Sequence, residues 1–215
     1  MHYQLQLQHF TFNGMRTGVY VPDVTQVQQW YYQQKNIDDT VMFPYWSKIW
    51  PAAYGMAEFL IEHSHLLLNK KVLELAAGLG LPSLIAARYA ATVCCSDHAA
   101  DARAVVQESV AYNALTNVEV RQLDWQQLPS KVNADIVLMS DVNYEPAMFE
   151  TLYNILHRLL NDNIAVVLST PQRLIAKPFI ESIMPFVTQR QNIEINTDDI
   201  TMPVTVLVLK RALQT

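Results

Sequence analysis

From Val72 onward the chain alternates short strand-like runs with helical stretches, and no other feature narrows the fold as far. The runs at 71–75, 92–96, 118–122, 135–140 and 164–169 read as strands. Helical patterns lie between them at about 82–90, 100–114 and 146–160, the second with its apolar face at 104–106, 110 and 114–115. Consecutive strands joined through helices run parallel, and a parallel sheet is covered on both faces. Beyond Pro171 a helix near 173–187 leads to extended segments at 189–196 and 203–210. These two are close enough in sequence to pair as antiparallel neighbours, so the sheet should end in a hairpin rather than another crossover. The expected fold is α/β, with a seven-stranded sheet, helices on both faces and an antiparallel last strand.

What precedes this core reads as a cap. Residues 3–12 alternate through Tyr3, Leu5 and Leu7, then Phe10 and Phe12, before Asn13-Gly14 and a second extended run at Gly18 to Val21, which is a hairpin signal. Asp23 can cap a helix to about Asn36, the turn-like Asp38-Asp39-Thr40 follows, and proline excludes a helix interior at Phe43-Pro44-Tyr45-Trp46. Pro51 fits the first turn of a helix to about His63, with Ala53, Met56, Ala57 and Leu60 on one stripe. One domain is expected over residues 1–215, with 1–45 as cap and 46–215 as core. A hydrophobic content of 51% with 16% charged residues suits a sizeable core and excludes disorder. The net charge of −5, with scattered Lys and Arg, offers no phosphate-neutralising footprint, so a nucleic-acid partner is not expected. A basic partner or a neutral small molecule fits better. The start MHYQLQLQHF has no leader pattern and no run approaches the roughly 20 apolar residues of a membrane span, so a cytoplasmic protein without membrane association is expected. Cys94 and Cys95 are adjacent on a strand, point to opposite faces and should be buried thiols rather than a disulfide.

The strongest local signal is Val72-Leu73-Glu74-Leu75-Ala76-Ala77-Gly78-Leu79-Gly80-Leu81-Pro82-Ser83, a strand, a glycine-containing turn and a helix start. Such a turn brings bare backbone close to a ligand. Glu74 interrupts an apolar strand, so a cationic or hydrogen-bonding group should lie beside its carboxylate. Ser96-Asp97 ends the next strand, and Asp97 follows Glu74 by 23 residues, close to the spacing at which an acidic residue reaches the ribose hydroxyls of a nucleoside. His63 and His65 stand two apart without a third ligand in a matching pattern, so no metal site is expected, and Asp198-Asp199 reads as a solvated turn.

Glu74 to Ser83 resembles the first motif of class I methyltransferases that use S-adenosylmethionine (SAM). Asp141-Val142-Asn143-Tyr144 is similar to the Asp-x-x-Tyr motif of the seven-strand protein lysine methyltransferases, methyltransferase family 16, with the strand Ala134 to Ser140 entering it and Glu145-Pro146 and Phe149-Glu150 following. Trp50, in Ile49-Trp50-Pro51-Ala52-Ala53, is similar to the tryptophan upstream of the core in these enzymes. Leu123-Asp124-Trp125 resembles their segment beside the adenine, and Asn113 is similar to a residue common after their second strand, with a capping or packing role. The resemblance covers roughly residues 44–170, with four motifs in order. It implies a Rossmann-like sheet, SAM as cofactor, and N-methylation of a protein lysine. It further implies cofactor contacts from Trp50, Glu74, Ala76, Gly78, Gly80, Asp97, Asp124, Trp125 and Ser140, and catalytic roles for Asp141 and Tyr144. Ala76 stands where the family often has glycine, which leads us to expect a negative φ there.

Methyl transfer asks mainly for positioning. An amine acceptor must arrive unprotonated, and a carboxylate at the end of the fourth core strand, Asp141, can accept its hydrogen bond and favour the positive charge that develops. The ring of Tyr144 can wall the pocket and give the incipient ammonium a cation–π contact of about 0.5–2 kcal/mol. Three alternatives stay open. A lid from residues 1–45 would suit a small amine where an open trough suits a protein side chain, and a nucleoside-binding module without turnover would share the same pocket. A nicotinamide-dependent dehydrogenase shares the strand, glycine turn and acidic strand end, but Gly78 and Gly80 are followed by Leu81-Pro82-Ser83 rather than by its third glycine.

Overall fold

A computed structural model of the chain describes residues 3–197 and 200–211, leaving Asp198-Asp199 outside the described residues. The N-terminal hairpin pairs β1 (Leu5–Phe12) with β2 (Met15–Pro22). Its two-residue turn has φ of 46° at Asn13 and 80° at Gly14, the left-handed pair whose twist matches that of the strands. Asp23 caps α1 (Val24–Lys35) by accepting from the Gln26 N–H at 2.9 Å. Pro51 then opens α2 (Pro51–Glu62) at a position where its missing N–H costs nothing.

The core follows as β3 (Lys71–Leu75), α3 (Leu81–Ala86), β4 (Thr92–Asp97), α4 (Ala100–Tyr112), β5 (Val118–Gln122), β6 (Ile136–Ser140), α5 (Phe149–Asn161), β7 (Ala165–Pro171), α6 (Lys177–Ile183), β8 (Val187–Thr197) and β9 (Ile200–Leu209). The seven strands lie in the order β5-β4-β3-β6-β7-β9-β8, the first five parallel and β9 antiparallel to both its neighbours. This is the expected mixed sheet, and its terminal hairpin is longer than the sequence suggests. Side chains alternate across it: Val72 and Leu138 pack with Met56, Leu60, Leu84 and Ile85 on one face, while Leu73, Val137 and Met139 pack with Leu152, Leu156, Leu159 and Phe179 on the other. Among the described residues no helix is long and apolar enough to cross a membrane.

Several helices are shorter than their periodicity suggests. The second core helix stops at Tyr112 because Ala114 turns left-handed, at φ 51°, while the Leu115 N–H reaches back to the Val110 carbonyl. Residues 173–187 do not form one helix: single 3-10 turns at 174–176 and 184–186 flank α6, because Pro178 fits only a helix start and Pro185 cannot continue one. Residues 146–148 are likewise a 3-10 turn ahead of α5, and α3 ends at Ala86 rather than near residue 90.

The cap is fastened to α4 through side chains. Asn113 Oδ1 accepts from the Gly18 N–H at 3.1 Å, its Nδ2 donates to the Gly18 carbonyl at 2.6 Å, and Ser109 Oγ accepts from the Tyr20 N–H at 2.9 Å. The amide thus stands in for a neighbouring strand along the free edge of β2. Asn113→Ala strands both backbone groups of Gly18, and we expect it to lower stability in urea by about 1–3 kcal/mol and to speed amide exchange at Gly18. Unaltered stability and exchange would show that the cap is held elsewhere.

Candidate active site

The turn after β3 carries three residues in the left-handed region: Ala76 at φ 52°, Gly78 at 55° and Gly80 at 72°. The negative φ expected at Ala76 is therefore corrected. The chain must fold back here so that the Ala77 N–H reaches the Ser96 carbonyl at 2.9 Å, and a single methyl group tolerates that conformation at about 1–2 kcal/mol. Gly80 has no such latitude, because a Cβ there would lie 2.9 Å from Cys95 Sγ.

Glu74 is fully enclosed beneath this turn. Its Oε2 accepts from the Ser83 N–H at 2.8 Å and from the Ser83 hydroxyl at 2.5 Å, so the partner expected beside it is the first turn of α3. Oε1 has no hydrogen-bond partner. Burial pushes the Glu74 carboxyl up to about 8, against the opposing pull of the two Ser83 bonds. Asp97, 6% exposed, accepts from the Gly78 N–H at 2.8 Å and from the Ala99 N–H at 2.9 Å, tying together the turns after β3 and β4. Its pairing with His98 holds that imidazole above its ordinary value.

The flanking residues converge on the same turns. A Cβ at Gly78 would lie 3.2 Å from the Trp46 carbonyl, which places the Tyr45–Ser47 turn directly over the glycine loop. Trp50 donates its indole N–H to the Tyr45 carbonyl at 2.9 Å and lies under Lys48 Nζ, 5.2 Å from the ring centroid. The Leu123 N–H bonds the Asp97 carbonyl at 2.9 Å, which brings Asp124 and Trp125 alongside. Asp124 caps its own short turn, accepting from the Gln126 N–H, and Trp125 packs half-buried on the α5 face.

The second half of the site grows from β6 and β7. These neighbours are in register at Ser140 and Ser169, and the Asp141 N–H continues the ladder to the Ser169 carbonyl at 2.9 Å. Asp141 adopts a φ of 56°, and its carboxylate is met by Arg173 in a two-pronged ion pair, Nη1 to Oδ1 and Nη2 to Oδ2, the latter at 2.8 Å. Sequence reasoning missed Arg173. The available signal was its place just past the end of a strand that runs parallel to the one bearing Asp141. The Tyr144 ring stands 5.7 Å from that of Tyr45 and is 44% exposed, with burial of its hydroxyl side raising its pKa. Asn143, next to Tyr144 in the chain, is wholly buried with neither side-chain atom bonded, and Ser140 Oγ is also without a partner. Every site residue expected from the sequence thus lies at the carboxyl ends of the parallel strands or on segments that abut them, where open α/β sheets bind ligands.

The sequence profile of a family described as lysine methyltransferase matches residues 36–189. The chain is 35% identical over 124 residues to histone-arginine methyltransferase METTL23 of Mus musculus, covering 54% of this chain and 48% of that protein. It is 34% identical over 120 residues to the METTL23 protein of Homo sapiens, covering 51% and 63%. Protein N-lysine methyltransferase METTL21A of Xenopus tropicalis is 29% identical over 129 residues, covering 58% and 60%. The chain therefore spans roughly half to three fifths of these relatives' lengths. Among solved structures, SMU.776 complexed with SAH superimposes with a TM-score of 0.61 at 17% identity, covering 95% of this chain and 56% of that one. Trm5b from Pyrococcus abyssi gives 0.59 at 16% identity, covering 94% and 55%. These structural likenesses establish the Rossmann-like fold. With the family match running across the glycine turn, the Asp97 strand end and the Asp141–Tyr144 loop, the chain belongs to the lysine methyltransferase family.

Proposed function

We propose that the chain methylates a side-chain nitrogen of a protein, with cofactor over the ends of β3 and β4 and acceptor at Asp141 and Tyr144. The observation that carries this reading is the adjacency of two unlike sites on one sheet edge: a glycine cradle with buried carboxylates beside a strand end bearing a carboxylate and an exposed aromatic ring. The cradle fits SAM. Glu74 Oε1 lacks a partner and suits a cationic amino group, and Asp97 keeps lone pairs beyond its two backbone bonds for ribose hydroxyls. Gly78 and Gly80 carry the turn through its left-handed φ values, Ser140 Oγ and Asp124 offer further polar groups, and Trp50 and Trp125 offer apolar surface. Bound SAM supplies a methyl group on a sulfonium. The protein's contribution is to orient the acceptor nitrogen and to exclude water.

A protein acceptor is favoured by the mouth of the site. Tyr45 and Tyr144, whose rings lie 5.7 Å apart, and Leu174 and Ile175, which follow Arg173, are 47%, 44%, 90% and 53% exposed, so apolar surface near Asp141 is open to a side chain on a polypeptide. The net charge of −5 suits a basic protein. The family's description favours lysine, whereas the METTL23 relatives are named for arginine, so product analysis on core histones decides between the two.

SAM and its demethylated product should bind at micromolar level and raise the melting temperature, since ligand at 100 times its dissociation constant adds about 2.7 kcal/mol. No shift at millimolar cofactor would contradict the assignment. Asp97→Ala should weaken binding about tenfold or more, through lost charge-assisted hydrogen bonds. Unchanged affinity would place Asp97 outside the site. On the acceptor side, Asp141→Ala should leave SAM affinity within about threefold yet cut tritiated-methyl transfer to core histones by about 100-fold or more. Tyr144→Phe should cost less than Tyr144→Ala. Loss of SAM binding in Asp141→Ala, with normal residual turnover at saturating cofactor, would make the carboxylate a cofactor ligand instead.

A further inference from the structure

The carboxylate assigned to the acceptor is not free. Asp141 is 9% exposed at its side chain, and both its oxygens are engaged by Arg173, itself one-third exposed, from the loop that follows β7. We propose that Arg173 is a positioning residue for methyl transfer: it fixes the direction of the Asp141 oxygens and cancels their charge, so that an acceptor nitrogen can sit against them without being held in its protonated form. This rests on the reading of Asp141 as the acceptor's partner and of the acceptor as a lysine amine.

The argument starts from charge. An uncompensated, poorly solvated carboxylate beside an amine favours the ammonium, which has no lone pair to accept a methyl group. With the guanidinium in place the pair is neutral overall, and each carboxylate oxygen still has a lone pair for an N–H of the acceptor. The site then accepts a hydrogen bond without retaining the proton.

Geometry supplies the second strand. Asp141 holds a left-handed backbone, φ 56°, fixed on one side by its N–H bond to Ser169 and on the other by the two prongs from Arg173. A planar fork against a carboxylate sets its plane as well as its distance, which a lysine in the same place cannot do. The register of β6 with β7 brings the two residues together, so the pair is built into the sheet rather than made by chance at the surface. The groups that act on the neighbouring Tyr144 hydroxyl are Tyr45, Glu145, Asp141 and Asp97, none of them a cation.

The test separates positioning from mere support. In Arg173→Gln the acid limb of the pH dependence of kcat/KM for tritiated-methyl transfer to core histones should move about one unit to higher pH, a loss of about tenfold on that limb. The sign follows from the acceptor: beside a carboxylate that has lost its cationic partner, its proton is held more tightly. Arg173→Lys should return the limb to its wild-type position while kcat stays below wild type, because the charge is restored and the fork is not. SAM affinity should stay within about threefold in both variants. An unmoved limb with lowered thermal stability would leave Arg173 a structural residue only, and faster transfer in Arg173→Gln would make it a plug that the acceptor must displace; either result overturns the proposal. A readout independent of any acceptor is the guanidinium N–H signals of Arg173 in nitrogen-resolved NMR with SAH bound. They should exchange slowly in wild type and rapidly in Asp141→Asn. Rapid exchange in wild type would show that the pair does not persist in the loaded site, whereas slow exchange without labelling of histones would count against the acceptor reading alone.

Discussion

The hydrogen bonds between Glu74 and Ser83 are the contact on which the site depends. A carboxyl group enclosed in the centre of a sheet is costly, and this one is tolerated because the first turn of α3 turns a backbone N–H and a hydroxyl toward it. The bond fixes where α3 begins, and with it the path of the intervening glycine turn. Asp97 fastens that turn from the other side by holding the Gly78 N–H. The arrangement carries a penalty of its own: a carboxyl with an ordinary value of 4.5, raised to about 8 by burial, takes up a proton on folding, and stability drains away as pH rises between those values. Its Oε1 is left without a hydrogen-bond partner among the described residues, which is why we propose that a group from outside the fold meets it.

The rest of the site follows from strand order. Placing β6 next to β3 sets Asp141 beside the glycine turn, and placing β7 next to β6 brings Arg173 to Asp141. The aromatic contacts from Tyr45 to both Trp50 and Tyr144 then link the two halves of the proposed site through a single short turn. Transfer chemistry needs two ligands held in line, and one sheet edge with neighbouring strand ends can provide that with little motion.

Much of this was legible in the sequence because it rests on local rules. Alternating apolar runs locate the strands, Asp23 and Pro51 mark helix starts, Asn13-Gly14 marks the hairpin, and the order of the Glu74, Asp97, Trp125 and Asp141 motifs places the site. What escaped was set by tertiary contact. Ala76 takes a left-handed turn because β4 accepts its neighbour's N–H, which no rule about alanine foretells. Arg173 meets Asp141, 32 residues earlier in the chain, only when β6 and β7 lie side by side. The Asn113 amide serves as a strand edge for a hairpin that lies 95 residues away in sequence. Helix ends were overestimated at 173–187 because hydrophobic period continues through prolines that the backbone cannot.

The most direct test of this account is calorimetric titration of SAM near pH 7 in two buffers of different ionisation enthalpy, on wild type and Glu74→Gln. If the enclosed carboxyl is the group that receives the cofactor's charge, wild type binds at micromolar level with release of protons, and that release disappears in Glu74→Gln while weaker binding persists. Failure of wild type to bind SAM, or proton release unchanged in Glu74→Gln, would contradict the claim that the β3 carboxylate and its helix form the cofactor site.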